Sequence, residues 1–357
     1  MRIEDIDKNF KPQGLPEGVE MEYFDVREAP FKVWGLIYED DSFCRMPDAV
    51  AKATSGGVHA LHEHCAGGRV TFETNSKYVA IVCRVRSIGK MAHFTTIGSA
   101  GFDMYEENDF ICSFFPPYDY NGGFDKSVSF DGEAKKRKLL IHFPLYTAVE
   151  SLMIGIEKGA SLSAYNPYRD IAPIVYYGSS ITQGGCASRP GNAYQAKISR
   201  ELSVDHINLG FSGNARGEEV MANYIASLPM SVFVMDYDYN APSIQHLKDT
   251  HERFYKIVRE KNPDLPIVMA SAPSFWHQLP PERSNAMTDR RAIVMDTYMK
   301  ARAAGDENVY FVDGASFYQN TDPDFCTVDR CHPNDCGFYY MAKGFLPAIR
   351  QALKGKV

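Results

Sequence analysis

From Pro173 onward the chain alternates short apolar runs with longer amphipathic stretches, and that alternation limits the folds open to it. It predicts strands at 173–177, 205–209, 231–236, 266–271 and 308–312. Helices are predicted near 191–203, 217–228, 243–261, 285–304 and 337–354. Strands alternating with helices of this length read as βαβ units around a parallel sheet. The expected result is a three-layer α/β/α domain with crossovers of the usual hand.

The preceding residues read differently. Arg69-Val70-Thr71-Phe72-Glu73-Thr74 alternates apolar and polar, and Val79, Ile81, Cys83 and Val85 share one face of a second run. Lys138–Phe143 and Leu152–Ile156 are further runs, and Pro116-Pro117 and Asn121-Gly122-Gly123 are turn formers between them. Helical periodicity is nearly absent. Short strands with frequent turn signals predict a jelly-roll-like β-sandwich. The polar stretch 158–172, with Gly159, Ser161, Ser163, Asn166 and Pro167, is the linker candidate. The expected domains are therefore 1–165 and 166–357, in line with a chain longer than one typical domain.

A net charge of −7 and a pI near 5.8 argue against nucleic acid and anionic membrane surfaces as partners. No apolar run approaches the ~20 residues that span a bilayer. The start, Met1-Arg2-Ile3-Glu4-Asp5-Ile6-Asp7, carries no apolar signal core, so a cytoplasmic location is the default expectation, with export open if a signal has been removed. The eight cysteines are scattered, which reads as free buried thiols rather than a disulfide framework.

The residues with chemistry to offer follow the predicted strands. Gly178-Ser179-Ser180 follows the first, Gly210-Phe211-Ser212-Gly213-Asn214 the second and Asp236-Tyr237-Asp238-Tyr239-Asn240 the third. Asp329-Arg330-Cys331-His332 lies beyond the fifth. In a parallel sheet these strand ends share one edge, so the four segments can converge on one cleft. Together they supply the parts of acyl transfer. Ser180 is a nucleophile that needs a base, His332 can be that base, and Asp329 can fix its tautomer. The backbone N–H groups of Ser180 and Gly213 and the amide of Asn240 can face the oxyanion. Each piece alone is ordinary, since serine and glycine populate loops and Asn is a common cap. The joint placement carries the reading, and it calls for no cofactor and no metal.

These blocks resemble those of the SGNH (GDSL-type) hydrolases. Gly178-Ser179-Ser180 is similar to the Gly-Asp-Ser block, Asn208–Asn214 to the glycine block and Asp329–His332 to the Asp-x-x-His block. The resemblance implies a flavodoxin-like α/β/α fold and serine esterase activity without a cofactor. It also implies Ser180, His332 and Asp329 as triad, with Ser180, Gly213 and Asn240 as oxyanion donors. Gly178–Gly184 with Cys186–Tyr194 resembles one subgroup, which carries an N-terminal β-domain with a Gly-x-Asp-x-Tyr element. Gly101-Phe102-Asp103-Met104-Tyr105 matches that element. Two departures stand out. Ser179 occupies the place of the wider family's Asp, as is typical of the subgroup. The third block is not Gly-x-Asn-Asp, so Asn240 fits only with a longer loop.

Other readings compete. Cys326, Cys331, His332, Asp335 and Cys336 form a close array, but its Cys-x4-Cys-His-x3-Cys spacing fits no common structural zinc pattern, and a second cluster of His59, His62, His64 and Cys65 reads as a polar loop before the strand at Arg69. Gly178–Gly184 lacks the Lys-Ser/Thr of a phosphate loop. A carbohydrate-binding protein with an impaired hydrolase domain is the alternative from another functional class. The expected substrate is a short-chain ester, acetyl foremost, of a carbohydrate or other small polar molecule. No long apolar lid is present, and Arg189, Asn192, Asn214 and Tyr237–Tyr239 offer polar neighbours.

Overall fold

The computed structural model describes residues 6–7, 17–88, 91–273 and 281–356. Its C-terminal half holds a five-stranded parallel sheet. The strands lie in the order His206–Gly210, Ile174–Gly178, Val232–Asp236, Ile267–Ala270, Val309–Val312. This is the flavodoxin-like order 2-1-3-4-5, which puts a switch point beside the first strand. Successive residues of the central strands face opposite layers. Tyr176, Val234 and Val268 pack under the helices Tyr194–Leu202 and Asp335–Leu353. Val175, Tyr177 and Phe233 pack under Glu219–Ser227 and Ile244–Lys261. The strands are buried on both faces, which is why they read as continuous apolar runs.

The N-terminal half is a sandwich of antiparallel sheets. One has the order Met21–Asp25, Thr147–Glu157, Tyr78–Ile88, Gly123–Ser129. The other has the order Leu162–Ser163, Arg69–Thr74, Arg137–His142, Phe102–Glu106, Asp109–Phe114, with Lys32–Trp34 also pairing to Arg69–Thr74. The alternating residues Val79, Ile81, Cys83 and Val85 meet Phe72, Leu139, Ile141, Leu152 and Ile154 in its core. No described helix is long and apolar enough to cross a membrane.

The structure adds three short helices where helical periodicity was nearly absent: Asp48–Thr54, Gly56–Leu61 and Thr96–Ala100. Each is too short to show a period of its own. Ser55 and Thr95 cap the second and third. Ala51 and Val58 from the first two pack beneath the parallel sheet rather than inside the sandwich.

The stretch 158–172 is more than a tether. Leu162–Ser163 pairs with Arg69–Thr74, and the buried Tyr168 hydroxyl accepts from Arg69 Nε at 2.9 Å. We propose the division at residue 165 as the domain boundary, since no described sheet takes strands from both sides of it. Buried charge nonetheless crosses that boundary. Arg69, fully buried, pairs with Asp205 and donates to the His206 carbonyl at 3.0 Å.

Arg69→Leu should therefore cost about 3–5 kcal/mol, because the largely buried Asp205 loses its cationic partner and the Gly67 and His206 carbonyls lose their donor. Denaturant unfolding measures it, and a loss below about 1 kcal/mol would contradict this account of the boundary.

Candidate active site

The site begins with a steric constraint. A Cβ on Gly178 would collide with Thr182 Oγ1 and the Asp236 carbonyl, so the strand can turn here only without a side chain. Ser179 takes the N-cap of the one-turn helix Ser180–Gln183, its hydroxyl accepting from the Ile181 N–H at 3.2 Å. An uncharged serine performs that cap in place of the wider family's Asp. Ser180 is then the first helical residue, whose N–H has no partner within the helix. Its carbonyl accepts from Gly185 N at 2.8 Å and from the Tyr146 hydroxyl at 3.2 Å, so both halves of the chain fix it.

Ser180 Oγ lies 3.0 Å from His332 Nε2, and His332 Nδ1 lies 2.7 Å from Asp329 Oδ2. The other Asp329 oxygen accepts from the backbone of Cys331 at 3.0 Å and of His332 at 2.7 Å. Arg330 makes this turn possible at φ 62°. The loop is closed by a bridge between Thr327 and Pro333, and Asn334 caps the helix that follows. Partial burial works to raise the Asp329 carboxyl. The bonds from His332 and the loop backbone outweigh it and hold the group below the usual carboxylate range. Asp335, on the next turn, is occupied elsewhere, accepting from Ser188 N at 2.8 Å and Ser188 Oγ at 2.5 Å.

The structure thus joins Ser180, His332 and Asp329 directly. Gly213 and Asn240 share with them the carboxyl edge of the sheet, with no hydrogen bond to Ser180 among the described residues. Gly213 has φ 69°, a left-handed turn that a side chain would strain, and open space where a Cβ would stand. Asn240 ends the 3-10 turn Asp238–Asn240, and its Oδ1 is buried without a protein partner.

Several expected substrate contacts are spent on the fold itself. Tyr237 is fully buried, its hydroxyl 3.0 Å from Thr250 Oγ1. Asn214 donates to the Ser212 carbonyl at 2.7 Å, and Asn192 to Ser188 Oγ at 3.3 Å. Arg189 binds Asp103 Oδ2 at 2.9 Å and also reaches the Tyr105 hydroxyl. The fully buried Asp103 further accepts from Gly191 N at 2.8 Å and meets His142 Nδ1 at 2.8 Å. The Gly-x-Asp-x-Tyr element therefore works as a strut beneath the loop that follows Ser180.

The two suspected metal clusters fare differently. His59 and His62 stack against each other and reach Asp48, whereas His64 meets Gln183 Nε2 at 3.2 Å. Of the C-terminal array, Asp335 is bonded to Ser188, whereas Cys331 and His332 stay within 4.8 Å of each other and of Asp329. Sequence reasoning missed two other features. His93, from the N-terminal half, sits with its ring 5.8 Å from that of His332. Asp236, directly after the third strand, accepts from Thr182 Oγ1 and Tyr194 Oη, each at 3.0 Å. Burial, with the nearby Asp238 adding to it, pushes the Asp236 carboxyl up to about 8.

A parallel sheet in this order, bearing a strand–turn–helix with Ser180 against His332 and Asp329, is the architecture of an SGNH hydrolase. Residues 172–350 match the GDSL-like Lipase/Acylhydrolase family, and residues 21–162 match the N-terminal unit of SGNH-hydrolase-type esterases. The chain belongs to the GDSL-like Lipase/Acylhydrolase family and is a hydrolase. Among solved structures it is similar to a GDSL-like lipase from Bacteroides ovatus ATCC 8483, at 28% identity and TM-score 0.86 over 94% of this chain and 98% of that one. It is also similar in fold to the salicylyl-acyltransferase SsfX3 of a tetracycline biosynthetic pathway, at 19% identity and TM-score 0.76 over 94% and 99%. A family two carbohydrate esterase from Clostridium thermocellum, solved with cellohexaose, shares the fold at 15% identity and TM-score 0.64 over 92% and 100%. Comparison with curated protein sequences gives no match.

The Asp236 carboxyl yields a stability prediction. Its ordinary value is 3.8 and its folded value about 8, so between these the folded chain keeps a proton that the unfolded chain has lost. Stability must then fall as pH rises through this window. Asp238, raised to about 6 by burial, adds its own fall at the lower end. Asp236→Asn keeps an acceptor for Thr182 and Tyr194 and should flatten the decline between about pH 6 and pH 8. Melting temperatures across that range test this, and an unchanged slope would count against it.

Proposed function

We propose that the protein hydrolyses a short-chain acyl ester, acetyl first, carried by a carbohydrate or other small polar alcohol. The single observation behind this is the unbroken hydrogen-bonded series from Ser180 Oγ through His332 to Asp329. In the reading it supports, His332 Nε2 takes the Ser180 proton as Oγ attacks the ester carbonyl. The negative oxygen that forms is faced by the N–H groups of Ser180 and Gly213 and by the Asn240 amide. The tetrahedral intermediate expels the alcohol, which leaves with the proton held by His332. Water then repeats the sequence on the acyl-Ser180, giving the acid and free enzyme. Asp329, ionised over the working pH range, keeps the Nδ1 proton of His332 in place.

The carbohydrate part of the reading draws on fold neighbours that are carbohydrate esterases. The acetyl part draws on the absence of a long apolar lid segment in the sequence. Hydrolysis is favoured over a binding-only role because a binding protein has no need of this aligned series.

Ser180→Ala should lower kcat by about 10⁴-fold or more with the fold retained, whereas Ser179→Ala should cost only about 0.5–2 kcal/mol of stability with a much smaller rate loss. Equal activity of wild type and Ser180→Ala on every ester turned over would sink the assignment. Asp329→Asn should remain folded and lose up to about 10⁴-fold in kcat, because the imidazole is left in the wrong tautomer. Near-full activity of that variant would remove Asp329 from the mechanism. A series of p-nitrophenyl esters from acetyl to long acyl chains, set beside acetylated sugars, measures the substrate class. A preference for long chains would overturn it. Dialysis against a strong chelator should leave turnover intact, and loss restored by added zinc would contradict the proposed mechanism.

A further inference from the structure

His93 lies in the turn Met91–Phe94, ahead of the helix Thr96–Ala100, and is exposed. Its ring is tilted 51° to that of His332. Cys186 follows the Ser180 turn and is buried at 5% exposure. One nitrogen of each histidine and the Cys186 sulfur all fall within 4.8 Å of one another. Cys186 also has φ 83°, a left-handed conformation that glycine adopts at far lower cost. A thiol is therefore held, against backbone preference, beside two imidazoles.

We propose that His93, Cys186 and His332 form an inhibitory site for a thiophilic divalent cation, Zn²⁺ foremost, which binds reversibly and silences the hydrolase. Two imidazole nitrogens and one thiolate are a donor set that suits zinc, with water in the fourth position. Zinc–ligand bonds of about 2.0–2.3 Å require the three atoms to close by about an ångström. The exposed His93 can supply that by rotating on its turn. On binding, the Cys186 S–H bond breaks, its proton goes to solvent and the sulfur lone pair forms the S–Zn bond.

The inhibition follows from tautomer chemistry. Asp329 holds the proton on His332 Nδ1 at 2.7 Å, so the lone pair is on Nε2. That is the nitrogen 3.0 Å from Ser180 Oγ. Metal and serine compete for one lone pair, and an imidazole bound to zinc cannot accept the serine proton. A second set, Asp329, Cys331 and His332, also lies within 4.8 Å. It is the weaker choice, because filling it requires breaking the Asp329–His332 bond.

The experiment uses metal-free full-length protein titrated with zinc chloride while ester hydrolysis is followed. Each variant is compared with its own zinc-free rate. Wild type should be inhibited at micromolar zinc and recover on adding chelator. His93→Ala should shift the inhibitory concentration upward by roughly ten- to a hundredfold, and Cys331→Ser should not shift it. Calorimetric titration of zinc into Ser180→Ala should show one tight site that His93→Ala weakens by the same factor. This arm contains no catalytic step, so its outcome is independent of the esterase reading on which the inhibition arm rests. No inhibition up to millimolar zinc, equal inhibition of wild type and His93→Ala, or relief by Cys331→Ser instead would each overturn the site.

Discussion

The site depends on a place where no side chain fits. Gly178 ends the strand Ile174–Gly178, next to the central strand of the parallel sheet, with Thr182 Oγ1 and the Asp236 carbonyl filling the space a Cβ would take. Only there can the chain leave the sheet and enter a helix within two residues, and only then does Ser180 stand at the sheet edge with an unpaired N–H. Thr182 in turn bonds Asp236, which also binds Tyr194. The turn, the third strand and the next helix are thus locked by one buried carboxyl. Burial raises this carboxyl and so favours its neutral form, while Thr182 and Tyr194 both donate to it.

Much of this was legible in the sequence. The parallel strands are buried on both faces, so their apolar runs located them to within about a residue or two. Ser180, Asp329 and His332 could be found because each lies on a short segment after a strand, where topology alone sets the position. The rest was hidden for physical reasons. His93 belongs to a turn with no periodic neighbours, and only the docking of the sandwich on the α/β half brings it to His332. Arg189 and Tyr237 looked available because polarity was visible in the sequence but commitment was not. Asp103 lies 86 residues from Arg189, and Thr250 lies 13 residues from Tyr237 on a separate element. The helices Asp48–Thr54 and Gly56–Leu61 join the core on the side of the helix Glu219–Ser227, a tertiary contact no local window contains.

Asp103 gives the N-terminal half a part in the site without giving it a place in the chemistry. One carboxylate restrains Arg189 and the Gly191 N–H, and Ser188 in the same loop ties to Asp335 beside His332. The loop after the serine and the loop bearing the histidine are thereby braced against a common support. Tyr146 adds a direct bond to the Ser180 carbonyl, and His64 orients Gln183, whose Oε1 receives the Ser212 N–H at 3.0 Å. Rigidity at the sheet edge is supplied largely from the sandwich.

The shared core also bears on how this architecture can be taken apart. Met46, Ala51 and Val58 cover Phe211, Leu209 and their neighbours, while Arg69 neutralises Asp205. A catalytic half produced without its partner would bare that apolar surface around a stranded acid, and such surfaces self-associate. Recombination between relatives of this layout should therefore exchange the two halves as a matched pair. A crossover at the covalent junction near residue 165 would split one continuous buried surface between unmatched halves, even though the backbone there passes through little regular structure.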